Sequence, residues 1–519
     1  MKRRNFLQSA AALTIPTFLP IPGMRANSNR FTSLIAPDSD RVLVIIHLFG
    51  GNDGLNTVVP LDQYDGLTQV RPLMYLDPKL THKLTDKTAL HPSMGAMSNL
   101  YKDGKLKVIQ SAGYPNQNRS HFRSTDIWTT GSDADEFLST GWMGRYLDTQ
   151  LPGYPSGYPS EGQPHPPAIS IGNVAHPTCE GPNINFSQTV EDPFNTTTLS
   201  DEMGMTTSDR YGSELQFIRT TMAQTNNYNT VIKAAAAKGS NAVTYPRSTN
   251  ALAPQLKKVA RLISGGLKTK VYTVYLSGFD THARQVDANT SGGTHAILLN
   301  KVSEAIAAFQ ADLKAQNLEE KVIGMTFSEF GRRIRQNASA GTDHGTAGPM
   351  FLFGSCVNGG ILGDNVKVDK SIGQSEGVPM QFDFRDIYGS LLVDWFNVSS
   401  SNVKSMLHND FKYLPLAGNC NEGITDTTDE GPEGWAFGEA YPNPSTKEVF
   451  INVASPGYNR LRYSLFDSRG RLVLANEIGV NGQADHMLFT RPSRLPAGTY
   501  ALRLATETGG TTTRKVVFE

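Results

Sequence analysis

Residues 41–49 (RVLVIIHLF) form an almost unbroken apolar run, followed directly by Gly50-Gly51-Asn52-Asp53. A run of this length that ends in glycines is typical of a strand buried on both faces of a parallel sheet. Shorter apolar runs repeat this form at residues 106–111, 271–276, 322–327 and 350–353. The sequence therefore predicts a sheet built mainly from parallel strands.

Helical patterns lie between these strands. Residues 298–313 space their apolar side chains three and four apart, which predicts one buried helix face, and residues 386–396 form another candidate helix. The proline-rich and glycine-rich residues 151–167 predict a surface loop. Strands that alternate with helices indicate an α/β fold with helices on both faces of the sheet.

The composition excludes several classes of protein. The 519 residues contain 48 Lys+Arg and 48 Asp+Glu, so the formal net charge is zero, and we expect no nucleic-acid partner. The three cysteines, Cys179, Cys356 and Cys420, lie far apart without a CxxC pair, which argues against a cysteine zinc site. Three cysteines also exclude a disulfide-dense scaffold but leave room for one disulfide.

The N-terminus carries an export signal. Lys2-Arg3-Arg4 precedes a short apolar run over residues 10–19, which predicts a signal peptide over residues 1–27. The paired arginines before Phe6-Leu7 resemble a twin-arginine signal, and an ordinary Sec signal is the alternative. No later window is apolar enough for a membrane helix, so we expect no transmembrane helix in the mature protein.

The C-terminus changes character after Cys420. Residues 421–437 are acidic and poor in apolar side chains, which predicts a linker. Residues 438–519 contain short alternating runs separated by turn residues, as in a small all-β sandwich. A carbohydrate-binding sandwich would give a similar pattern.

Four features of this segment are more specific: YPNP at residues 441–444, the FDSRGRLV turn, the LPAGTYALRL strand and the terminal TRKVVFE. In this order they resemble the C-terminal sorting domain of the type IX secretion system. The resemblance implies that the type IX machinery is a partner. It also implies a protein that is exported through the periplasm and then secreted or held at the cell surface.

Acidic and imidazole side chains recur at the predicted strand ends. Carboxyl ends of parallel strands share one edge of a sheet, where ligands bind, so we expect these side chains to converge. Oxygen and nitrogen ligands from separate elements suit a divalent metal, although an aspartate after a strand can equally cap a helix. The candidate ligands are Asp53, Asp280, His282, Glu329, Asp343 and His344.

A candidate nucleophile follows the predicted strand at residues 106–111. A helix is predicted to start near Ser120, which is flanked by Arg119, His121 and Arg123. A helix N-terminus favours anions, so a hydroxyl there is suited to attack a phosphoryl or sulfuryl group held by the arginines. The alternative is that Ser120 only caps the helix and that the arginines are solvated.

The candidate site residues lie in or beside five longer motifs: LFGGNDGLNTVVP, GYPNQNRSHFRSTDIWTTG, GFDTH, FSEFGRRIRQN and GTDHGTAGPMFLFG. Over most of residues 40–415 they resemble an exported bacterial family catalogued as domain of unknown function 1501. That family is grouped with the alkaline phosphatase, sulfatase and phosphoglycerate mutase superfamily. The resemblance implies an alkaline phosphatase-like three-layer α/β sandwich with a mostly parallel sheet over residues 28–420.

The resemblance also implies roles for single residues. Asp53 is similar to the first metal-ligand aspartate of the superfamily, Asp280 and His282 to an Asp and His pair, and His344 to the last ligand histidine. The nucleophile position falls on Ser120 or His121, with a metal-bound water as the alternative. Phe330 stands where a histidine is usual, which puts a second metal ion in doubt and leaves Arg332 or Arg333 to supply charge there.

The function implied is a secreted metal-dependent hydrolase of phosphate, sulfate or phosphonate esters. Zinc is the expected metal, with calcium, manganese or magnesium as alternatives, and the expected substrate is a small anionic ester or a sulfated or phosphorylated glycan. Ser120, His121 and Arg123 are the candidate catalytic residues, and Asn56, Arg119 and Arg332 the candidate substrate-binding residues. The alternative is a non-catalytic surface protein that binds glycan or another extracellular partner.

Overall fold

The computed structural model describes residues 40–196, 199, 210–247, 249–418, 436–441, 445–454, 458–467, 471–481, 485–492, 495–506 and 511–518. The predicted signal peptide and most of the predicted linker lie outside these residues. Cys179 is a buried free thiol, and Cys356 is disulfide-bonded. Among the helices that the structure describes, none is long and apolar enough to cross a membrane.

A nine-stranded sheet forms the centre of the protein. Its strands run in the spatial order β8-β2-β7-β6-β1-β5-β3-β4, with β9 paired to the end of β2. The strands are β1 (Val42–Phe49), β2 (Leu106–Gly113), β3 (Ala168–Ile171), β4 (Ser187–Val190), β5 (Val271–Ser277), β6 (Val322–Phe327), β7 (Gly348–Phe353), β8 (Gly360–Leu362) and β9 (Phe382–Asp383).

The prediction of a mostly parallel sheet is confirmed, with one exception. β1 pairs in parallel with β5 and β6, and β5 pairs in parallel with β3. β7, predicted from residues 350–353 as one more strand of the parallel set, instead runs antiparallel to both β2 and β6. The apolar run shows that β7 is buried but carries no information about its direction.

Helices pack against this sheet. Helix α7 contacts β3 and β5 and also packs on α8, while the Trp128 ring of α4 stacks between Phe327 of β6 and Phe384 of α9. The helices are α1 (Gly54–Thr57), α2 (Tyr64–Val70), α3 (Gly95–Lys102), α4 (His121–Thr130), α5 (Trp142–Gln150), α6 (Arg210–Lys238), α7 (Ala253–Ser264), α8 (Thr294–Ala315), α9 (Phe384–Phe396) and α10 (Ser400–Met406).

β1 lies inside the sheet and is buried along almost its whole length, which explains its continuous apolar sequence. The carboxyl ends of β1, β5 and β6 meet at one edge because these strands are parallel. Gly50 follows β1 with φ +124°, and a Cβ there would lie 2.3 Å from the Asp280 backbone nitrogen. Only glycine lets the chain after β1 pass this close to the chain after β5.

The C-terminal strands form two antiparallel sheets around one shared core that includes Val449 and Leu502. One sheet contains Ala436–Tyr441, Glu448–Ala454 and Asp485–Thr490. The other contains Leu472–Asn481, Tyr458–Phe466, Gly498–Thr506 and Thr511–Phe518. This arrangement confirms the predicted C-terminal all-β unit.

Candidate metal centre

Three imidazole rings converge on the Asp280 carboxylate at the carboxyl edge of the sheet. The Nε2 atoms of His282 and His344 each lie 3.1 Å from Asp280 Oδ1, and His121 Nε2 lies 3.5 Å from Oδ2. In the part of the chain that is described, one ligand atom each from His121, Asp280 and His344 lie within 4.8 Å of one another. Such a set of nitrogen and oxygen donors suits a divalent cation.

The second ring nitrogen of each histidine has its own partner. His121 Nδ1 lies 2.8 Å from Glu329 Oε1, His282 Nδ1 lies 2.9 Å from Asp343 Oδ1, and His344 Nδ1 lies 2.8 Å from the Arg119 carbonyl oxygen. An imidazole that donates through Nδ1 keeps the Nε2 lone pair available as a metal ligand. All three rings therefore present Nε2 towards Asp280.

Glu329 is a buried carboxylate at the end of β6. The Gly50 backbone N–H donates to its Oε1 at 2.8 Å, and His47 Nε2 lies 3.6 Å from Oε2. Burial raises the pKa of the Glu329 carboxyl, but the contacts with His121 and His47 outweigh it and lower the pKa to about 2. Glu329 in turn raises the pKa of His121 through their hydrogen bond.

Arg332 holds the other side of Asp280. Its guanidinium is buried and donates to Asp280 Oδ1 at 2.7 Å. The remaining contacts go to backbone carbonyls: Gly51 at 2.7 Å, Thr342 at 2.8 Å, Phe279 at 3.0 Å, and Gly50. Arg332, predicted to bind substrate, therefore donates its hydrogen bonds to groups of the protein itself and fixes the orientation of Asp280.

Asp53 and Asn56, two further predicted site residues, belong to a separate buried network. Both Asp53 carboxylate oxygens accept hydrogen bonds from Arg71, at 2.6 and 3.0 Å. Arg71 also donates to Asn56 Oδ1 at 3.1 Å, and the Asn56 amide donates to the Met74 carbonyl. The structure thus pairs Asp53 with an arginine and leaves it outside the His121, Asp280 and His344 group.

Ser120 and its two neighbouring arginines, Arg119 and Arg123, have different surroundings in the structure. Ser120 is exposed at the N-cap position of α4. Its side chain makes no capping hydrogen bond to this helix, all of whose residues the structure describes. Arg119 donates to the Ser375 carbonyl oxygen at 2.8 Å. Burial lowers the pKa of Arg119, and the nearby positive charge of Arg333 lowers it further. Arg123 turns away to Asp126 and the carbonyl oxygens of residues 133, 134 and 136.

Arg71, His47 and Phe330 contact the site residues in ways that the sequence patterns do not predict. Arg71 is a single arginine after α2 with no surrounding motif, and His47 lies within the apolar sequence of β1. Phe330 is buried with its ring centroid 5.0 Å from His121 and 4.6 Å from His344. It forms an apolar wall behind the two imidazoles instead of supplying a ligand.

Two family models match the chain. Residues 218–395 match "Protein of unknown function (DUF1501)", and residues 439–519 match "Secretion system C-terminal sorting domain". The first match contains Asp280, His282, Glu329, Asp343 and His344. No curated protein matches the chain.

Solved structures give remote similarities. Latent PorU from Porphyromonas gingivalis is 19% identical over 16% of this chain and 10% of its own, with a TM-score of 0.15, so this chain spans a tenth of that protein. A Bacteroides thetaiotaomicron protein connected with glycosaminoglycan metabolism is 9% identical over 84% of this chain and 89% of its own, with a TM-score of 0.32. A candidate sulfatase from Bacteroides fragilis is 10% identical over 90% of this chain and 91% of its own, with a TM-score of 0.31.

The sorting domain indicates export, to the cell surface or into the medium, and makes the secretion machinery a partner of this chain. The predictions of a sorting domain and of export are confirmed. The chain therefore combines a DUF1501 region at residues 218–395 with a secretion system C-terminal sorting domain at residues 439–519.

Proposed function

We propose that this protein is an exported, metal-dependent hydrolase of phosphate or sulfate esters. The observation that carries the proposal is the convergence of three Nε2 atoms on Asp280, each ring being held through Nδ1. Orienting contacts to the second nitrogen are characteristic of histidines that bind a metal.

The donor set fits zinc best. His121 and His344 would supply nitrogen ligands and Asp280 an oxygen ligand, whereas calcium and magnesium prefer sites built from oxygen. When bound, such a cation polarises the ester and stabilises charge that develops on its oxygens. Glu329 and the Arg119 carbonyl oxygen then keep these two imidazoles in the orientation that binding requires.

The helix that carries His121 offers an anion site next to this cluster. The N-terminal N–H groups and the dipole of α4 favour a phosphate or sulfate group, and Ser120 lies at that terminus. Arg119 and Arg333 add positive charge nearby. We infer that the ester binds here, with the exposed Ser120 hydroxyl as the attacking group.

Exposed aromatic rings beside His121 suggest a substrate with a ring of its own. Phe49, at the end of β1, lies with its ring centroid 6.1 Å from that of His121 in a stacked orientation and is 42% exposed. Phe122, the next residue along the helix, is 91% exposed. Aromatic faces of this kind suit a sulfated or phosphorylated sugar better than inorganic phosphate.

The test measures metal content and turnover together in the purified protein. We expect hydrolysis of 4-nitrophenyl phosphate or 4-nitrophenyl sulfate that is lost in chelator and restored by zinc or manganese. Asp280→Ala should abolish both the bound metal and turnover, while Asp135→Ala, at an exposed carboxylate, should change neither. Turnover that survives complete removal of metal would contradict the proposal, and bound metal without turnover of any ester would favour the non-catalytic alternative.

A further inference from the structure

The guanidinium of Arg71 lies in a buried cage of oxygen atoms. Its nitrogens contact both carboxylate oxygens of Asp53, at 2.6 and 3.0 Å, and Asn56 Oδ1 at 3.1 Å. Two backbone carbonyls complete the cage, Ile334 at 2.7 Å and Arg333 at 2.8 Å. Arg71 has no measurable exposure. A set of converging oxygens that includes a buried carboxylate is what a hard cation requires, and here a side-chain cation occupies it.

Both carboxylate oxygens of Asp53 already accept hydrogen bonds. Beyond the two contacts with Arg71, its Oδ2 accepts a hydrogen bond from Gln285 Nε2 at 2.5 Å. Burial raises the pKa of the Asp53 carboxyl, but the charge and hydrogen bonds of Arg71 outweigh burial, so the pKa falls below its ordinary value. Asp53 is therefore an ionised carboxylate whose charge is already balanced by Arg71.

A second divalent ion at Asp53 would meet unfavourable electrostatics. It would have to displace a fixed guanidinium that makes five contacts, or bind beside a buried positive charge in a region of low dielectric constant. The superfamily resemblance implies two metal ions, with Asp53 as a ligand. The residues present at Asp53 do not fit that second ion.

We propose that Arg71 takes the place of a second metal ion, so that each chain binds one divalent cation, at His121, Asp280 and His344. This inference rests on the proposed function, because it assumes that the Asp280 cluster binds a metal. Arg71 is then a positioning residue. It ties Asp53, at the end of β1, to the Arg333–Ile334 backbone, and Arg332 in the same segment holds Asp280.

The experiment counts ions. The full chain is stripped with chelator, loaded with excess zinc, manganese or calcium alone, freed of unbound ion, and analysed by plasma mass spectrometry and native mass spectrometry. We expect one ion per wild-type chain, one per Asp53→Asn chain and none per Asp280→Ala chain. Circular dichroism and the melting temperature establish that each variant is folded.

The two ways of failing are distinct. Two ions in the wild type, falling to one in Asp53→Asn, would overturn the role of Arg71 and leave the proposed metal-dependent function standing. No ion in a folded wild-type chain would overturn both. The wild-type count decides between one and two ions even where Asp53→Asn fails to fold.

Discussion

His121 Nδ1 lies 2.8 Å from Glu329 Oε1, and this hydrogen bond joins the first residue of α4 to the chain that leaves β6. The contact places a buried carboxylate directly behind an imidazole whose other nitrogen faces Asp280. Carboxylates in this position fix the ring orientation and raise the basicity of the ligand nitrogen. A substitution of Glu329 therefore tests metal affinity without removing a proposed ligand.

Glu329→Gln should weaken zinc binding by about 10-fold to 100-fold, since the amide keeps the size of the side chain but loses its charge. Competition against a chromophoric chelator measures the change. Glu304→Gln, at an exposed position on α8, is the matched control and should bind zinc like the wild type. Equal zinc affinity in the wild type and Glu329→Gln would show that the charge of the Glu329 carboxylate does not strengthen a metal ligand.

Ser120→Ala should lower turnover by at least about 1000-fold, as expected when a nucleophile is removed. Its effect on unfolding free energy should stay within about 0.5 kcal/mol, because the hydroxyl is exposed and makes no capping bond to α4. Urea denaturation and steady-state kinetics separate these two effects.

Ser124→Ala, one turn further along α4, is the informative comparison. The Ser124 hydroxyl is buried between Tyr114 Oη, at 2.9 Å, and the Glu329 carbonyl oxygen. Its loss should cost about 1–3 kcal/mol of stability. Turnover that persists in Ser120→Ala would exclude this hydroxyl as the nucleophile.

Much of the site could be predicted because chemistry and topology agree. Asp280, His282 and Glu329 follow β5 and β6, and parallel strands bring such positions to one edge. His344 precedes β7 and reaches the same edge because β7 runs antiparallel to β6. The same rule predicts Asp53 at this edge, because Asp53 follows β1. It could not reveal that Arg71, 18 positions further along, would neutralise Asp53, because that pairing depends on how α2 packs.

The direction of β7 and the role of Arg123 were inaccessible for related reasons. A buried strand needs the same apolar residues whether it pairs parallel or antiparallel, so residues 350–353 could not indicate the direction of β7. Arg123 is one of three cationic or imidazole residues near Ser120. Only the turn of α4 decides that it faces the 133–137 loop, where its guanidinium lies over Phe137.

Stability should fall as the pH drops below about 6.5 because three histidines, His91, His176 and His295, are neutral in the folded state. Burial lowers the pKa of His91 and that of His176 to about 3, and the pKa of His295 to about 4, from 6.5. His91 Nδ1 also accepts a hydrogen bond from the Ser93 backbone N–H, which protonation there would break. The unfolded chain therefore binds more protons than the folded chain between these pKa values.

Each of these histidines should cost about 1.4 kcal/mol of unfolding free energy per pH unit below 6.5, until its folded pKa is reached. Urea denaturation in chelator, from pH 7 to pH 5, measures the slope without interference from metal release. His91→Gln should reduce the slope by about one third of what the three histidines contribute together. An unchanged slope would mean that His91 does not stay neutral in the fold.

Gly51 tests whether Phe330 supports the imidazoles. Gly51 has φ +85°, and a Cβ there would lie 2.3 Å from the Phe330 ring. Gly51→Ala should therefore combine backbone strain of about 1–2 kcal/mol with an overpacking cost of about 1–3 kcal/mol. Because the Phe330 ring contacts His121 and His344, its displacement should also weaken zinc binding.

Two other glycines separate these costs. Gly104 has φ +71° with open space around its Cβ position, so Gly104→Ala should show the backbone strain alone. Gly162 has neither a left-handed φ nor a close neighbour, so Gly162→Ala should leave stability nearly unchanged. Urea denaturation and zinc titration of the three variants should give the largest stability loss, and the only loss of affinity, in Gly51→Ala. If Gly51→Ala matched Gly104→Ala in both measurements, Phe330 would have no supporting role, because the strain common to both would account for the whole effect.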